Sequence, residues 1–471
     1  MSLCKAICAV LILLSSRLAL AQPAANSPRR SWQVNVIERV GDSVVAVFSE
    51  GKDHTLSSGS GSVVHESGYV LTNDHVVADR QGVVLVHGHQ PLPYRTVARL
   101  WEKDLALIKV EAPRPLVAVP LGRSNDAVAG EPILVGGNPG GRGIVFSSGI
   151  VSSADVMAGM SALTMAYFPD DARDRVIQFD AASNPGNSGG PLINAEGRQI
   201  AVVVAKILAE QDINYAIPID RARRALRDML LPEQRGNFWT GIELDVATNT
   251  IRRVMEKSPG ADAGLKPGDI ITALDERPVT SDLDFYVALV GRKPDESLTL
   301  KYSRADATET ATLKLVEYPA KPGLNSDGRK SGLRYRVYSG RFTRCPDFEK
   351  LTPIAEGTVE APRLDQIANL PADDYALTLD GYLEIPETGV WSCAIGSDDG
   401  SRLFVDGELL ANNDGPHPLQ WASGRDRWQK GLHHVRIEFF EATGDADLQI
   451  VISRDGSDNR QQPKFFVESE K

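Results

Sequence analysis

The chain has 471 residues, which is too long for one hydrophobic core and predicts roughly two to four domains of ~100–200 residues each. Hydrophobic residues make up 42% and charged residues 24%, which excludes wholesale disorder, a collagen-like repeat and a polytopic membrane protein. The net charge of −11 argues against nucleic acid as the main partner.

The N-terminus has the pattern of a secretory signal peptide. Lys5 precedes an apolar run at 6–14, and Ala-Leu-Ala at 19–21 has the small-x-small form of a cleavage site. An uncleaved membrane anchor is the alternative, but the run is short for a span of ~20 residues. We therefore expect residues 1–21 to be removed and the product to be exported, either to a periplasm or to the extracellular space.

The region 31–232 is predicted to be rich in short strands. Runs of Val and Ile are separated by Gly, Asn and Pro clusters, a pattern typical of β-barrels or a sandwich. From Asp220 the pattern changes to a helical period, with Asp220 as the N-cap.

Three motifs in this region carry residues suited to nucleophilic catalysis. His75 lies in Leu-Thr-Asn-Asp-His-Val-Val, Asp104 opens Asp-Leu-Ala-Leu-Ile-Lys, and Ser188 lies in Gly-Asn-Ser-Gly-Gly-Pro. A serine nucleophile requires a base, an orienting carboxylate and donors for the oxyanion. Each motif alone is compatible with a turn or a strand end, but the order His, Asp, Ser is the chymotrypsin order.

Over about residues 40–220 these motifs resemble the HtrA/Deg family of trypsin-like serine proteases. The resemblance implies two six-stranded β-barrels, with His75 and Asp104 on the first and Ser188 on the second. Ser188 would be the nucleophile, His75 the base and Asp104 the orienting acid, without a catalytic cofactor. The oxyanion hole would be formed by Gly186, Asn187 and Ser188.

Substrate preference is partly predicted by the residues before the nucleophile. Selection of Arg or Lys at P1 requires a buried carboxylate six residues before the serine, and that position is Ala182, followed by Ser183. Val203 lies on the strand expected to line the S1 pocket. An uncharged pocket disfavours a basic side chain, so we expect a small or apolar P1 residue.

The segment 155–175 is either a regulatory loop or a loop packed on the barrel.

A second unit spans 238–318. The residues Ser-Pro-Gly-Ala-Asp-Ala-Gly-Leu-Lys-Pro-Gly-Asp-Ile-Ile at 258–271 resemble bacterial PDZ domains, which have an α+β fold. Upstream, Trp239, Thr240, Gly241 and Ile242 correspond to the loop whose backbone N–H groups capture a peptide C-terminus. The alternative is a PDZ fold used only as a rigid spacer or assembly contact.

Residues 319–333 have a linker composition rich in Gly, Pro, Lys and Ser. The third unit, 334–455, has frequent Asp-Gly turns. Its stretch Gly-Val-Trp-Ser-Cys-Ala-Ile-Gly-Ser-Asp-Asp-Gly-Ser-Arg-Leu-Phe-Val-Asp-Gly at 389–407 resembles the protective-antigen-type β-sandwich found on sugar-handling proteins. Asp398 and Asp399 occupy the place of the paired aspartates that hold Ca²⁺ in sugar-binding members; a solvated turn is the alternative.

The same unit contains Cys345 and Cys393. An even pair in an exported chain favours a disulfide, and two buried free thiols are the alternative.

The leading hypothesis is an exported HtrA-like endopeptidase that cleaves misfolded or exposed protein segments. Its PDZ-like unit would bind peptide C-termini, and its sandwich would tether it to an envelope glycan or partner. The resemblance also implies a homotrimer. The alternatives are a non-catalytic envelope chaperone or adhesin on a protease scaffold, and an esterase that uses the same triad.

Overall fold

The computed structural model of the chain describes residues 27–51, 54–77, 81–157, 175–204, 213–326, 328–368, 370–455, 457 and 459–468. The predicted signal peptide and most of the 155–175 segment lie outside these residues. Within the described part of the chain, no helix combines the length and apolar character required to cross a bilayer.

Six antiparallel strands form the first closed barrel. These strands, β1 to β6, are Val44–Glu50, Leu56–His65, Tyr69–Thr72, Gln81–Leu85, Leu92–Leu100 and Leu105–Val110, and their order around the barrel is β1-β2-β3-β6-β5-β4. Helix α1 (Trp32–Val40) precedes the barrel, and the short helix α2 (Asp74–Val77) leaves β3. Valines such as Val45, Val63 and Val70 fill the interior, as expected for β-branched side chains on pleated strands.

The second barrel is also closed and has six strands. These strands, β7 to β12, are Pro132–Gly137, Val145–Met157, Arg175–Phe179, Pro191–Asn194, Gln199–Val204 and Asn214–Pro218. Their order is β10-β11-β12-β9-β8-β7, and the interior includes Ile133, Phe179 and Leu192. Together the two barrels confirm the predicted chymotrypsin-like architecture.

Helices α3 (Ile219–Leu230) and α4 (Pro232–Gly236) lead into an α+β unit that also contains α5 (Pro259–Asp262) and α6 (Asp282–Leu289). One apolar cluster runs from the first barrel through α3 into this unit and includes Leu71, Leu226 and Phe285. The unit is therefore packed against the protease rather than only tethered to it. Its strands, β13 to β20, are Phe238–Trp239, Ile242–Leu244, Ile251–Val254, Ile270–Leu274, Arg277–Pro278, Ser297–Arg304, Ala307–Lys314 and Val316–Glu317.

The C-terminal unit is a β-sandwich, as predicted. Its strands, β21 to β31, are Arg329–Ser331, Leu333–Ser339, Ala355–Val359, Tyr375–Ile385, Gly389–Asp398, Ser401–Val405, Glu408–Asn413, Gln420–Trp428, Gly431–Glu441, Asp447–Arg454 and Phe465–Glu468. A three-stranded sheet, β28-β25-β30, packs on a larger one in which β21-β31-β24-β29-β26-β27 is extended by β22 and β23. Trp428 and Phe439 are fully buried in its core.

The predicted Cys345–Cys393 disulfide is wrong, because both cysteines are free and buried. Cys393 belongs to the main core of the sandwich. Cys345 packs in a separate cluster with Phe348 and Phe440, and its sulfur lies 3.9 Å from the carbonyl oxygen of Gly400. Burial raises the pKa of both thiols, that of Cys393 to about 12, so they are apolar core groups and poor nucleophiles.

Candidate active site

The structure brings the predicted base and acid into direct contact. His75 Nδ1 lies 2.9 Å from each carboxylate oxygen of Asp104, and the backbone N–H of His75 donates to Asp104 Oδ1 at 3.1 Å. A carboxylate on Nδ1 favours the tautomer with its proton there, which makes Nε2 the basic nitrogen.

Asp104 has an uncommon left-handed backbone, with φ +48°. Its N–H donates to the carbonyl of Trp101 at 3.1 Å, and its own carbonyl accepts from Asn73 Nδ2 at 2.8 Å. Such a conformation costs a non-glycine residue on the order of 1 kcal/mol and persists where the surroundings impose it. The turn Trp101–Lys103 therefore sets the direction of the acid.

The nucleophile loop packs directly on the segment that carries the base. Ser188 is buried, and its carbonyl accepts from Ser60 N at 2.8 Å. Gly189 has φ +83°, and a Cβ there would lie 2.2 Å from Thr72 Oγ1 and 2.3 Å from the Ser60 carbonyl oxygen. The missing side chain allows the loop to approach Thr72, three residues before His75.

Hydrogen bonds fix the peptide group between Gly186 and Asn187. The Gly186 carbonyl accepts from Ser60 Oγ at 2.6 Å, and the Asn187 N–H donates to the Asn184 carbonyl at 3.0 Å. The N–H of Asn187 is thus used inside the loop and is not available to an oxyanion. A fixed loop is suited to preorganised charge stabilisation.

The three predicted S1 residues differ in exposure, and all three are uncharged. Ala182 is exposed and Ser183 is half-buried, whereas Val203 is fully buried. The Val203 carbonyl accepts from Gly189 N at 2.9 Å, and its N–H donates to the Gly190 carbonyl at 2.8 Å. Strand β11 is therefore joined directly to the nucleophile loop.

Sequence reasoning missed an ion pair beside the base. Arg99 donates to Asp74 through Nε at 2.5 Å and through Nη2 at 3.1 Å. Each side chain is only 11% exposed, so this bidentate ion pair is largely shielded from water. Asp74 immediately precedes His75, and the acidic residue at that position was the one available sequence signal.

The predicted carboxylate loop of the PDZ-like unit already contacts a carboxylate. Glu233 of α4 accepts from the N–H of Thr240 at 2.6 Å and from its hydroxyl. Gly241 follows with φ +69°, and its carbonyl accepts from Met255 N at 2.8 Å. Burial raises the pKa of Glu233, so its charged form depends on these donors.

Helix α6 is covered by the helices that precede the PDZ-like unit. Phe285 and Tyr286 of α6 are buried, and the Arg227 guanidinium of α3 lies 5.7 Å from the Tyr286 ring centroid. Arg223 of the same helix lies 3.9 Å from Asp282. Helix α6 of the PDZ-like unit therefore packs against α3, the helix that follows the second barrel.

Carboxylates also cluster at the predicted calcium position. Asp399 accepts from the N–H groups of His417 at 3.0 Å and Ala442 at 2.9 Å. Burial, and then the neighbouring Asp399 charge, raises the pKa of Glu441 to about 8. Burial and Asp399 likewise raise the pKa of Asp398. The described residues contain no group of three or more His, Cys, Asp or Glu side chains arranged to hold a metal.

Two barrels with His, Asp and Ser in chymotrypsin order define a trypsin-like serine peptidase. Known domain families agree: the trypsin-like peptidase domain matches residues 59–202, the PDZ domain 240–315 and the PA14 domain 329–464. The sequence is 33% identical over 335 residues to the mitochondrial serine protease HTRA2 of Bos taurus, covering 60% of this chain and 69% of that protein. The chain belongs to the HtrA family of serine proteases.

Bacterial relatives are aligned over less of their length. A probable periplasmic DegP-like serine endoprotease of Pseudomonas fulva is 30% identical over 57% of this chain, and the chain spans 57% of that relative. For a DegP-like protein of Brucella suis the identity is 30%, over 63% of this chain and 60% of the relative.

Similar solved structures include a serine endoprotease from Yersinia pestis, which is 24% identical in sequence. The match covers 62% of this chain and 99% of that chain, with a TM-score of 0.37. The HtrA-type protease AlgW with tripeptide has 28% identity, covers 62% of this chain and 98% of its own, and has a TM-score of 0.38.

Proposed function

We propose that this HtrA-type serine endopeptidase is exported and cleaves misfolded or exposed protein segments, with Ser188 as nucleophile, His75 as base and Asp104 as orienting acid. The contact of His75 Nδ1 with both oxygens of Asp104 at 2.9 Å carries the proposal. The close packing of the Ser188 loop on Thr72, made possible by Gly189, supports it.

In the first half-reaction, Ser188 Oγ attacks the substrate carbonyl carbon and His75 takes the hydroxyl proton. The oxyanion that forms accepts hydrogen bonds from the N–H groups of Gly186 and Ser188. Asp104 stabilises the imidazolium, which then gives the proton to the leaving amine. The acyl-enzyme is hydrolysed by water in the reverse sequence of proton transfers.

The PDZ-like unit favours protein substrates over small esters. We propose that Thr240 and Gly241 receive the C-terminal carboxylate of a peptide, which then adds along the neighbouring strand. Since Glu233 uses the Thr240 N–H, peptide binding requires its displacement. Ligand binding is thereby coupled to α4, which joins the PDZ-like unit to the protease.

For the sandwich we propose tethering to an envelope glycan or partner, with Ca²⁺ bound near Asp398 and Asp399. Burial is the main cause of the raised pKa of Glu441, and the charges of Asp399 and Asp398 add to it. That added repulsion supports a bound cation, because a divalent charge would relieve it. Calorimetric titration with CaCl₂ tests the proposal: binding by the wild type and its loss in Asp398→Asn are expected, whereas no binding at millimolar Ca²⁺ would contradict it.

Location and assembly are further proposals. The alignment with relatives described as periplasmic and the signal-like pattern at 1–21 support export to a periplasm or to the extracellular space, and we propose a homotrimer. Cell fractionation with N-terminal sequencing, and light scattering of the purified protein, test the two points separately.

The reaction is tested with unfolded casein as substrate, using the wild type, Ser188→Ala and the control Ser331→Ala on an exposed strand of the sandwich. Cleavage by the wild type and control, lost in Ser188→Ala by ~10³-fold or more, is expected. Equal cleavage by all three would refute the assigned nucleophile. No cleavage by a folded wild type, with or without a C-terminal peptide, would favour the non-catalytic chaperone or adhesin.

A further inference from the structure

The C-terminal sandwich contacts the segment that leads directly into the catalytic acid. Trp421 of β28 packs edge-on against Trp101, with ring centroids 5.1 Å apart. Arg425 Nη2 donates to the Arg99 carbonyl at 3.0 Å, and a further hydrogen bond joins Ser423 to Glu102. Three contacts between units thus converge on the residues just before Asp104.

The contacting side chains belong to one face of a single strand. Trp421, Ser423 and Arg425 are two residues apart in β28, and alternate residues of a strand project from the same face. β28 is an edge strand of its sheet, paired with β25. The Arg460 guanidinium also lies over the Trp101 ring, 4.0 Å from its centroid. The sandwich therefore makes two contacts with the Trp101 indole, one between aromatic rings and one cation–π contact.

The contact between Trp421 and Trp101 is connected to Asp104 by a backbone hydrogen bond. The Trp101 carbonyl accepts the N–H of Asp104 at 3.1 Å, and that bond helps to maintain the left-handed backbone of the acid, φ +48°. A tilt of the Trp101 turn would move the carboxylate relative to His75 Nδ1. A misplacement of ~1 Å can reduce a rate ~10²-fold.

The contact between Arg425 and Arg99 is connected to Asp74, the residue before His75. Arg99 receives the Arg425 hydrogen bond on its carbonyl, and its guanidinium holds Asp74 through two nitrogens. Asp74 is buried and begins helix α2, which carries His75. The same strand of the sandwich is thus linked to both members of the base–acid pair.

We propose that Trp421 and Arg425 are positioning residues for the His75–Asp104 pair, so that docking of the C-terminal sandwich sets the catalytic rate of the protease. The inference rests on the proposed function of His75 and Asp104. Neither side chain touches the reacting atoms; each acts through the backbone of the Arg99 to Lys103 segment. A ligand that shifts the sandwich would then change peptide hydrolysis without entering the active site.

The test compares four variants in the full chain: Trp421→Ala, Trp421→Phe, Arg425→Met and the control Leu409→Ala, an exposed apolar residue on another strand of the sandwich. For each, kcat and KM on an unstructured peptide, the pH profile of kcat and the melting temperature are measured. We expect kcat to fall about 10-fold or more in Trp421→Ala and Arg425→Met, with KM changed less than about twofold. The acidic limb of the profile should shift, and Trp421→Phe should restore most of kcat.

Unchanged kcat and pH profile in both Trp421→Ala and Arg425→Met, with melting temperatures showing folded protein, would overturn the inference. Arg425→Met retains the apolar stem and removes only the guanidinium, so it remains informative if Trp421→Ala fails to fold. Ser188→Ala is measured in parallel. If Ser188→Ala retains activity, the proposed function has failed; if it loses activity while the two sandwich variants do not, only the positioning inference has failed.

Discussion

The Glu233 carboxylate accepts two hydrogen bonds from Thr240, one from its backbone N–H at 2.6 Å and one from its hydroxyl. Thr240 lies in the loop proposed to receive a peptide C-terminus, so an internal carboxylate uses a donor that the peptide requires. We therefore expect Glu233 and a peptide carboxylate to compete for the Thr240 N–H.

Glu233→Ala is expected to strengthen binding of a peptide with a free C-terminus about 10-fold, because the binding-competent state no longer has to compete with an internal ligand. Fluorescence anisotropy with a labelled peptide measures the Kd. The matched control is Glu276→Ala, an exposed carboxylate of the same unit. Equal or weaker binding by folded Glu233→Ala would contradict the competition.

Gly189→Ala is expected to abolish activity and to destabilise the fold by about 2 kcal/mol or more, because positive φ and steric overlap both oppose a Cβ there. Gly130→Ala is the control: Gly130 has φ +89°, and no atom lies within 4 Å of the position that a Cβ would take, so it isolates the backbone penalty of about 1 kcal/mol. Urea denaturation and peptide hydrolysis measure both effects, and similar losses in the two variants would argue against the tight Gly189 contact with Thr72.

Cleavage sites in an unfolded protein should have small or apolar P1 residues, because Ala182, Ser183 and Val203 offer no charge to pair with Lys or Arg. Mass spectrometry of the products gives the P1 distribution. Ala182→Asp should raise kcat/KM for an Arg substrate relative to a Val substrate about 10-fold. A wild-type preference for basic P1 residues would show that another charged group forms the pocket.

Glu441 should make stability depend on pH. Its folded-state pKa of about 8 lies above the unfolded value of about 4.3, so between these values the folded protein retains a proton that the unfolded chain has lost. Stability therefore falls as pH rises through that window. Glu441→Gln should reduce the loss between pH 6 and 8 by about 2 kcal/mol, because one proton distinguishes the two states over most of that range. Identical pH dependence in thermal denaturation of the two proteins would contradict the raised pKa.

The three folded units could be predicted from sequence because each carries a local motif with strict backbone requirements. The Gly-rich stretch around Ser188 and the 258–271 motif specify turns that few other sequences form. His75 and Asp104 were found in the same way, since each occupies a fixed place within a short motif.

Contacts between distant segments could not be predicted. Trp101 and Trp421 are 320 positions apart by their numbers, and each alone resembles an ordinary buried aromatic residue. The role of Glu233 could not be predicted either, because its contact with Thr240 depends on the turn that the chain makes after α4. The cysteines misled because their even number indicates a disulfide only if the fold brings them together, and Cys345 and Cys393 lie in separate apolar clusters.

The proposed activation of Ser188 by the His75–Asp104 pair can be measured with a serine-directed phosphonate. The rate of modification is followed by intact mass, and its site by peptide mapping. We expect one adduct per chain on Ser188, absent in Ser188→Ala and formed about 10²-fold or more slowly in His75→Ala. An adduct on another residue, or modification of Ser188 at the same rate without His75, would contradict it.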